Sequence, residues 1–266
     1  MIIAEIGWNF LGDLELAKKM IKSAKENGAD AVKFQLWNPN NLVPGEWDND
    51  GRKEIYFKAY VDERKFEDLY NYSKSLSIIC FASVFSKEDL NIHLKITNEF
   101  IKIPSMEAYD IDLIKKCLNK FNKVLVSTGA LKKSELLNLE QFKEEENFII
   151  LHCVSSYPLN YEKCNFEKFF YLKDKFKKVG YSGHAKGIED AIFALSNGAV
   201  AIEKHFTTSN KLAGRDNKFA ILPSELNRLK SYSDKVKQMN VKLGLDLQDA
   251  ERDVFKSYRG RWKKYS

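Results

Sequence analysis

The sequence predicts a single-domain α/β protein, a (β/α)8 TIM barrel, on three observations. Short apolar runs alternate with amphipathic stretches along the whole chain, which is typical of parallel strands joined by right-handed helical crossovers. Eight such units fit into about 250 residues, the usual size of this barrel. Neither GxGxxG nor GxxxxGK[ST] occurs, which argues against an open nucleotide-binding sheet.

Each predicted strand is an apolar run that ends at small or polar residues. The eight runs span residues 2–7, 31–35, 77–83, 99–105, 123–129, 148–155, 178–184 and 199–207. Between them, apolar residues at helical spacing predict helices, and a glycine ends the first of these. The helices span 14–28, 62–76, 110–121, 132–142, 188–198 and 222–239. Residues 35–62 form the one long predicted loop, at the carboxyl end of strand two, where a substrate loop belongs.

The chain is predicted to form one domain over residues 1–266, with the barrel in 1–240 and a C-terminal extension in 241–266. The net charge of +6 arises from lysine and glutamate interspersed along helix-like stretches, so no nucleic-acid partner is expected. The first residues, MIIAEIGWNF, lack a basic n-region and contain Glu5, so we do not expect them to be a signal peptide. No run approaches the ~20 apolar residues of a membrane span. Four cysteines without CxxC spacing favour buried, reduced thiols, and we expect a cytoplasmic protein that does not bind membranes.

Polar residues collect at the predicted carboxyl ends of the strands, where barrel enzymes place their chemistry. They are Glu5, Asn9, Lys33, Gln35, Ser83, Lys102, Ser105, Glu107, Ser127, Thr128, Ser155, Tyr157, Ser182, His184, Glu203 and His205. Residues two apart, such as Ser182 and His184, face the same side of a strand. Because buried polar groups need partners, the pattern favours a polar ligand in the mouth of the barrel.

Two lysines and two histidines narrow the chemistry of that ligand. Lys33 and Lys102 would need an anion if they point inward, and the nearby serine hydroxyls suit a phosphate or carboxylate. The alternative is that the lysines reach the surface and the serines only end strands. His184 and His205 follow neighbouring strands, and two imidazoles suit a divalent transition metal with room left for substrate. The alternative is that they are packing residues, which is how we interpret the other two histidines, His93 and His152.

The chain is similar to the sialic acid synthase family, whose members condense phosphoenolpyruvate with an N-acetylated hexose. The resemblance is carried by AEIGWNFLGDLELAKKMIKSAKENGADAVKFQ (4–35), KIPSMEAYDIDLI (102–114), VLVSTGA (124–130), LHCVSSYPLNYE (151–162), VGYSGHAKGIEDAIFALSNGAVAIEKHFT (179–207) and GRDNKFAILPSEL (214–226). It implies a divalent metal on His184 and His205, usually Mn²⁺, with Mg²⁺ or Co²⁺ as alternatives. The implied phosphoenolpyruvate contacts are Lys33, Ser83, Lys102, Ser105, Ser127, Ser155 and Ser182.

The resemblance also implies the acceptor site and the reaction. The implied sugar contacts are Gln35, Glu107, Tyr157 and Asp216. The metal would polarise the sugar aldehyde, the methylene carbon of phosphoenolpyruvate would attack it, and phosphate would leave by C–O cleavage. Lys33 and Lys102 would align the reactants, and either Glu5 or Glu107 would move protons. The product would be a 3-deoxy-2-ulosonic acid of the sialic type.

The chain departs from the family pattern in three places. Phe10 stands where the family usually has histidine, and Gly183 stands where it commonly has aspartate. The family usually continues into an antifreeze-like domain that adds an arginine to a neighbouring sugar site, whereas this sequence stops at Ser266. We therefore expect no antifreeze-like domain. Either the acceptor is not the usual N-acetylmannosamine, or Arg215 or a separate lid protein replaces that arginine.

Other readings of the same residues stay open. A homodimer would have to rest on barrel surfaces. A catalytically silent barrel that acts as a binding subunit is one alternative function, and another metal-dependent aldolase or hydrolase is a second.

Overall fold

The computed structural model describes residues 1–262, in which eight parallel strands close into a barrel in chain order. The strands are β1 (Ile2–Glu5), β2 (Ala31–Leu36), β3 (Ile79–Val84), β4 (Phe100–Ile103), β5 (Lys123–Ser127), β6 (Phe148–Cys153), β7 (Val179–Gly183) and β8 (Ile202–His205). Closure comes from β1, which pairs with β2 on one side and with β8 on the other. The predicted (β/α)8 barrel is confirmed.

The helices cover the outside of the barrel. They are α1 (Leu14–Glu26), α2 (Arg52–Ala59), α3 (Glu63–Ser75), α4 (Lys87–Ile96), α5 (Ile111–Leu118), α6 (Lys133–Asn138), α7 (Phe166–Lys175), α8 (Glu189–Ser196), α9 (Pro223–Met239) and α10 (Arg252–Ser257). In α1 the Asp13 side chain caps the first turn by accepting from the Leu16 amide at 3.0 Å, and the face that includes Met20 and Ile21 is buried. None of the helices described within residues 1–262 is long and apolar enough to cross a membrane.

The bounds of all eight strands differ from the predicted ones, and α2, α4 and α7 are not among the predicted helices. The predicted loop 35–62 contains α2, which the pattern missed because only Tyr56 and Ala59 of its eight residues are buried. The first predicted strand ran to residue 7, but β1 ends at Glu5, and Gly7 has a positive φ of 51° that turns the chain.

The division into a barrel at 1–240 and an extension at 241–266 stays a prediction, and its last residues, 263–266, lie outside the described residues. Within the described part of the extension, α10 was not predicted. Apolar side chains there are exposed, among them Leu245, Val254 and Trp262.

The inside of the barrel changes from apolar to polar along every strand. Its lower part is filled by Ile3, Ala31, Phe81, Leu125, Ile149, Leu151 and Ala201. Because side chains alternate, the residue two positions further along also points inward, so Ile3 is followed by Glu5 and Ala201 by Glu203. The apolar layer is therefore the floor of a polar cavity at the carboxyl end of the barrel.

Two histidines belong to the packing of this scaffold, as predicted. His93 on α4 is fully buried, accepts from the Ala82 amide at Nε2 (3.1 Å) and has Nδ1 3.2 Å from the Thr97 carbonyl. His152 on β6 has Nε2 2.7 Å from the Cys164 carbonyl. Burial lowers the pKa of each imidazole to about 4.

We expect His93 to make the fold less stable in mild acid. Its folded pKa of about 4 lies below the ordinary value near 6.5, so the unfolded chain binds the proton more readily. Stability is therefore full above pH 6.5 and falls as the pH decreases toward 4, by about 2 kcal/mol between pH 7.5 and 5. Urea unfolding of wild type and His93→Gln at both pH values measures this, and the variant should lose less. Equal losses in the two proteins would contradict the assignment.

Candidate active site

A ring of buried polar side chains lies directly above the apolar floor. One member comes from each strand, and each is at most 6% exposed. The ring consists of Glu5, Lys33, Ser83, Lys102, Ser127, Cys153, Ser182 and Glu203. Seven of these are among the strand-end residues that the sequence singled out, where Glu203 was named without an assigned role; Cys153 was not among them. The polar ring is therefore built by the strand register itself, without any loop.

Glu203 holds the centre of the polar ring together. Lys102 Nζ lies 2.9 Å from both carboxylate oxygens of Glu203, and Ser182 donates to Oε1 at 3.0 Å. Lys33 Nζ is 3.9 Å from the same Oε1. Lys33 also contacts Glu5 Oε2 at 2.7 Å and donates to Ser83 at 2.7 Å. Two buried lysines are thus balanced by two buried carboxylates.

The two carboxyl groups respond to this environment in opposite directions. Burial raises the pKa of Glu203, but Lys102, Lys33 and Ser182 outweigh that effect and hold it at about 2. Burial also raises the pKa of Glu5, and there Lys33 does not reverse the shift. Glu203 is therefore the fixed anion, and Glu5 is the group that takes up a proton more easily.

The two predicted metal-binding histidines lie together next to the polar ring. The ring centroids of His184 and His205 are 5.5 Å apart, and both residues are buried. His184 Nδ1 is 2.8 Å from the Val154 carbonyl, so this nitrogen carries a hydrogen and Nε2 is the nitrogen that a metal would bind. Burial lowers the pKa of His184, but Cys153 and the Val154 carbonyl outweigh burial and raise it. His205 Nδ1 lies 3.5 Å from Asp216 Oδ2. Burial and the neighbouring His184 place the pKa of His205 well below its ordinary value, so its imidazole is neutral.

Cys153 is a member of the site that sequence reasoning did not include. Its Sγ accepts from Ser105 at 3.5 Å and lies 3.9 Å from His184 Nδ1. Burial raises the pKa of this thiol, but His184 and Ser105 outweigh burial and lower it to about 7. The expectation of buried, unpaired cysteines is correct for all four. Cys153 is also a member of the polar ring.

Gly129 lies near Cys153, where the backbone passes close to the hydroxyl groups of Ser105 and Ser155. The Gly129 amide donates to Ser105 Oγ at 3.0 Å. A Cβ at position 129 would lie 2.2 Å from Ser155 Oγ and 2.8 Å from Ser105 Oγ. Any side chain there would displace both hydroxyls, so the glycine brings a backbone N–H to this wall.

The predicted sugar contacts divide into two groups. Gln35 donates to Glu5 Oε1 at 2.8 Å, and the Tyr157 ring lies 4.1 Å from the His184 ring, so both adjoin the polar ring. Asp216 joins them through His205. Glu107 is half-buried after β4, where burial and then the carboxylates Asp110 and Asp89 raise its pKa.

Two predicted residues lie further out, on the rim. Arg215 is exposed beside Asp216, and Ser155 is exposed with its hydroxyl 4.0 Å from Cys153 Sγ. The described contacts do not bring Glu107 or Arg215 against the lysines or the histidines.

Two departures from the family pattern now have structural explanations. Phe10 is buried outside the barrel, with its ring 5.9 Å from that of Phe34. A Cβ at Gly183 would lie 2.5 Å from Asp190 Oδ2, so an α8 carboxylate occupies the space a side chain there would need. Asp190 in turn pairs with Lys204 at 3.0 Å on the outer face of β8.

We expect Glu203→Gln to lower the free energy of unfolding by about 3 kcal/mol or more, because it leaves two buried lysines short of an anion. Inorganic phosphate should restore part of this loss. The matched control is Glu63→Gln, which removes an exposed ion pair with Lys95 (2.6 Å) and should cost much less. Urea unfolding with and without phosphate measures both, and equal costs for the two variants would refute the central role of Glu203.

Known proteins resemble this chain in sequence and in fold. Residues 20–244 match the NeuB family. The chain is 33% identical to pseudaminic acid synthase of Campylobacter jejuni, over 96% of this chain and 78% of that protein. It is 30% identical to N,N'-diacetyllegionaminic acid synthase of the same species, over 97% and 81%. The solved N-acetylneuraminic acid (sialic acid) synthetase of Leptospira borgpetersenii, in complex with citrate, superposes with a TM-score of 0.88 at 34% identity, over 98% of this chain and 92% of that one. The chain belongs to the NeuB family.

Proposed function

We propose that the protein condenses phosphoenolpyruvate with the aldehyde of an acetamido hexose. The products would be a sialic-type 3-deoxy-2-ulosonic acid and phosphate. The observation that carries the proposal is the polar ring, in which Lys33 and Lys102 converge beside His184 and His205. Relatives named as synthases of sialic, pseudaminic and legionaminic acids support it.

His184 and His205 are the residues we propose for a divalent metal, with Mn²⁺ as the first choice and Mg²⁺ or Co²⁺ as alternatives. Their chemistry fits this role, because both are buried, His205 is neutral, and His184 directs its Nδ1 hydrogen to the Val154 carbonyl, so that Nε2 is the nitrogen a metal would bind in place of a proton. Among residues 1–262, no group of three or more His, Cys, Asp or Glu side chains is arranged to hold a metal. Two protein ligands leave coordination positions for water and substrate. When bound, the ion would supply Lewis-acid polarisation of the aldehyde oxygen.

The polar ring would bind the anionic groups of phosphoenolpyruvate. Lys33 and Lys102 would pair with phosphate and carboxylate oxygens, and Ser83, Ser105 and Ser182 would donate hydrogen bonds. Ser127 Oγ supports a ligand here, because it is buried and has no hydrogen-bond partner among the described residues. This arrangement would fix the methylene carbon against the acceptor and convert an encounter into an aligned pair.

The bond changes then follow from the positions of the acid and base. The methylene carbon would form a C–C bond to the aldehyde carbon, whose oxygen takes up a proton. Water would add to the enol carbon, and phosphate would leave with its bridging oxygen. We assign the proton transfers to Glu5, because its pKa is raised and it contacts both Lys33 and Gln35. Glu107 lies too far out on the described contacts to be the first choice.

The acceptor would lie between the imidazoles and the rim. Gln35, Tyr157 and Asp216 adjoin Glu5 and the histidines, so they would hold its hydroxyls, with Glu107 and Arg215 outside them. Ser155 stays a predicted phosphoenolpyruvate contact. A homodimer, a separate lid protein and a cytoplasmic location stay predictions.

The decisive assay incubates the protein with phosphoenolpyruvate, Mn²⁺ and a panel of hexose aldehydes and measures phosphate. We expect release that requires an acceptor and is abolished by EDTA. Lys102→Met should lower kcat/KM by about 100-fold or more, because it removes a buried charge from the proposed phosphate site. The surface variant Lys95→Met is its matched control and should keep wild-type rates. A silent barrel would release no phosphate with any acceptor, and release without an acceptor would indicate a phosphatase.

Arg215→Ala tests the outer part of the acceptor site. If the guanidinium contacts the sugar, the acceptor KM should rise about tenfold, while the KM for phosphoenolpyruvate stays constant. Steady-state kinetics with each substrate varied in turn separates the two. An unchanged acceptor KM would remove Arg215 from the site.

A further inference from the structure

Four aromatic side chains form a continuous group beside the polar ring, which we call the aromatic wall. It consists of Trp8, Trp37, Tyr56 and Phe85. The Trp8 and Trp37 rings are stacked at 5.1 Å, and Tyr56 lies edge-on to both at 4.9 and 4.7 Å. Phe85 extends the group with its ring 5.9 Å from Trp37. These residues come from the segments that follow β1, β2 and β3, on the side of the barrel where the polar ring opens.

The wall adjoins the cavity along the chain. Trp37 and Phe85 each directly follow their strand, two residues beyond Gln35 and Ser83, whose side chains take part in the hydrogen bonds of the polar ring. Gly7 precedes Trp8, and a Cβ there would lie 3.0 Å from Glu5 Oε1 and 3.4 Å from Gln35 Nε2. The backbone that carries Trp8 therefore lies against the Glu5–Gln35 hydrogen bond.

The aromatic wall offers apolar ring surface and an N–H donor to a ligand. Within it Tyr56 is buried, whereas Trp8 and Trp37 are partly exposed. Trp8 Nε1 is itself buried and has no hydrogen-bond acceptor among the described residues. An unsatisfied buried N–H costs about 1–3 kcal/mol, and a bound acceptor group would recover it. The wall thus combines aromatic surface with one unpaired donor.

Aromatic surface beside an unpaired N–H donor suits a substituent that carries both a methyl group and a carbonyl oxygen, which a hydroxyl group does not. We propose that the aromatic wall binds an acetamido group of the acceptor sugar, with its methyl group on the Trp8 and Trp37 rings and its carbonyl oxygen accepting from Trp8 Nε1. This inference rests on the proposed function. Phosphoenolpyruvate is the poorer occupant, because Lys33 and Lys102 of the polar ring already meet its charges. The wall therefore selects among sugars and does not take part in bond making.

The test compares matched sugars that differ at one substituent. Calorimetry with Mn²⁺ and without phosphoenolpyruvate measures the Kd of N-acetyl-D-mannosamine against D-mannose, and of N-acetyl-D-glucosamine against D-glucose. We expect wild type to prefer an acetamido sugar by tenfold or more. Trp8→Phe keeps an aromatic ring and removes the N–H, and it should reduce that preference about tenfold. Trp37→Leu should reduce it as well, which guards against a folding defect in one variant.

Trp262→Phe is the matched control, because Trp262 is 75% exposed in the C-terminal extension. It should leave the preference unchanged. Equal preference in wild type and Trp8→Phe, or no preference or no binding in wild type, overturns the inference. The proposed function fails separately: it fails if no acceptor triggers phosphate release, and it stands if release occurs while the preference ignores Trp8.

Discussion

The buried ion pairs around Glu203 constrain everything else at the mouth of the barrel. Lys33 and Lys102 are almost fully buried, and a buried ammonium group persists only beside an anion. Glu203 meets both, and Glu5 meets Lys33 from the other side. The serine hydroxyls satisfy the remaining bonds, so the cavity is preorganised before any ligand arrives. An incoming anion has to share these lysines with carboxylates that already hold them, which couples ligand binding to the internal balance of charge.

The architecture was readable from the sequence because its cause is local. A strand buried on both faces gives a short apolar run, and the helix that follows it gives a 3.6-residue period, so both signals lie within about fifteen residues. The inward direction of Lys33 and Lys102 was readable for a similar reason, since each follows an apolar residue two positions earlier on its strand. The exact ends of the strands could not be predicted from the sequence, because they depend on backbone turns such as the one at Gly7.

The site residues whose roles were missed have partners far away in the chain. Glu203 was recognised as a strand-end residue, but its role as the anion between the lysines was not, because Lys102 is 101 residues away. The pKa of Cys153, which burial alone would raise, is lowered by His184 and Ser105, and the barrel brings both next to it. Glu107 was placed with the sugar contacts by the family resemblance and Arg215 by its position next to Asp216, and the described contacts bring neither of them against the lysines or the histidines. The alternation of side chains along a strand therefore predicts the members of the polar ring better than it predicts site residues in the loops that follow the strands.

The last strand carries opposite charges on its two faces, and this fixes where it can sit. Glu203 points in toward Lys102, while the next residue, Lys204, points out and pairs with Asp190 on α8. A slip of one residue would exchange the faces, driving Lys204 among two other ammonium groups and Glu203 against a carboxylate. Misregistered forms of β8 are thus penalised twice, once on each side. The same pairing fixes the position of His205 along the barrel axis. The distance between the His184 and His205 rings therefore depends on the Lys204–Asp190 ion pair outside the barrel as well as on packing inside it.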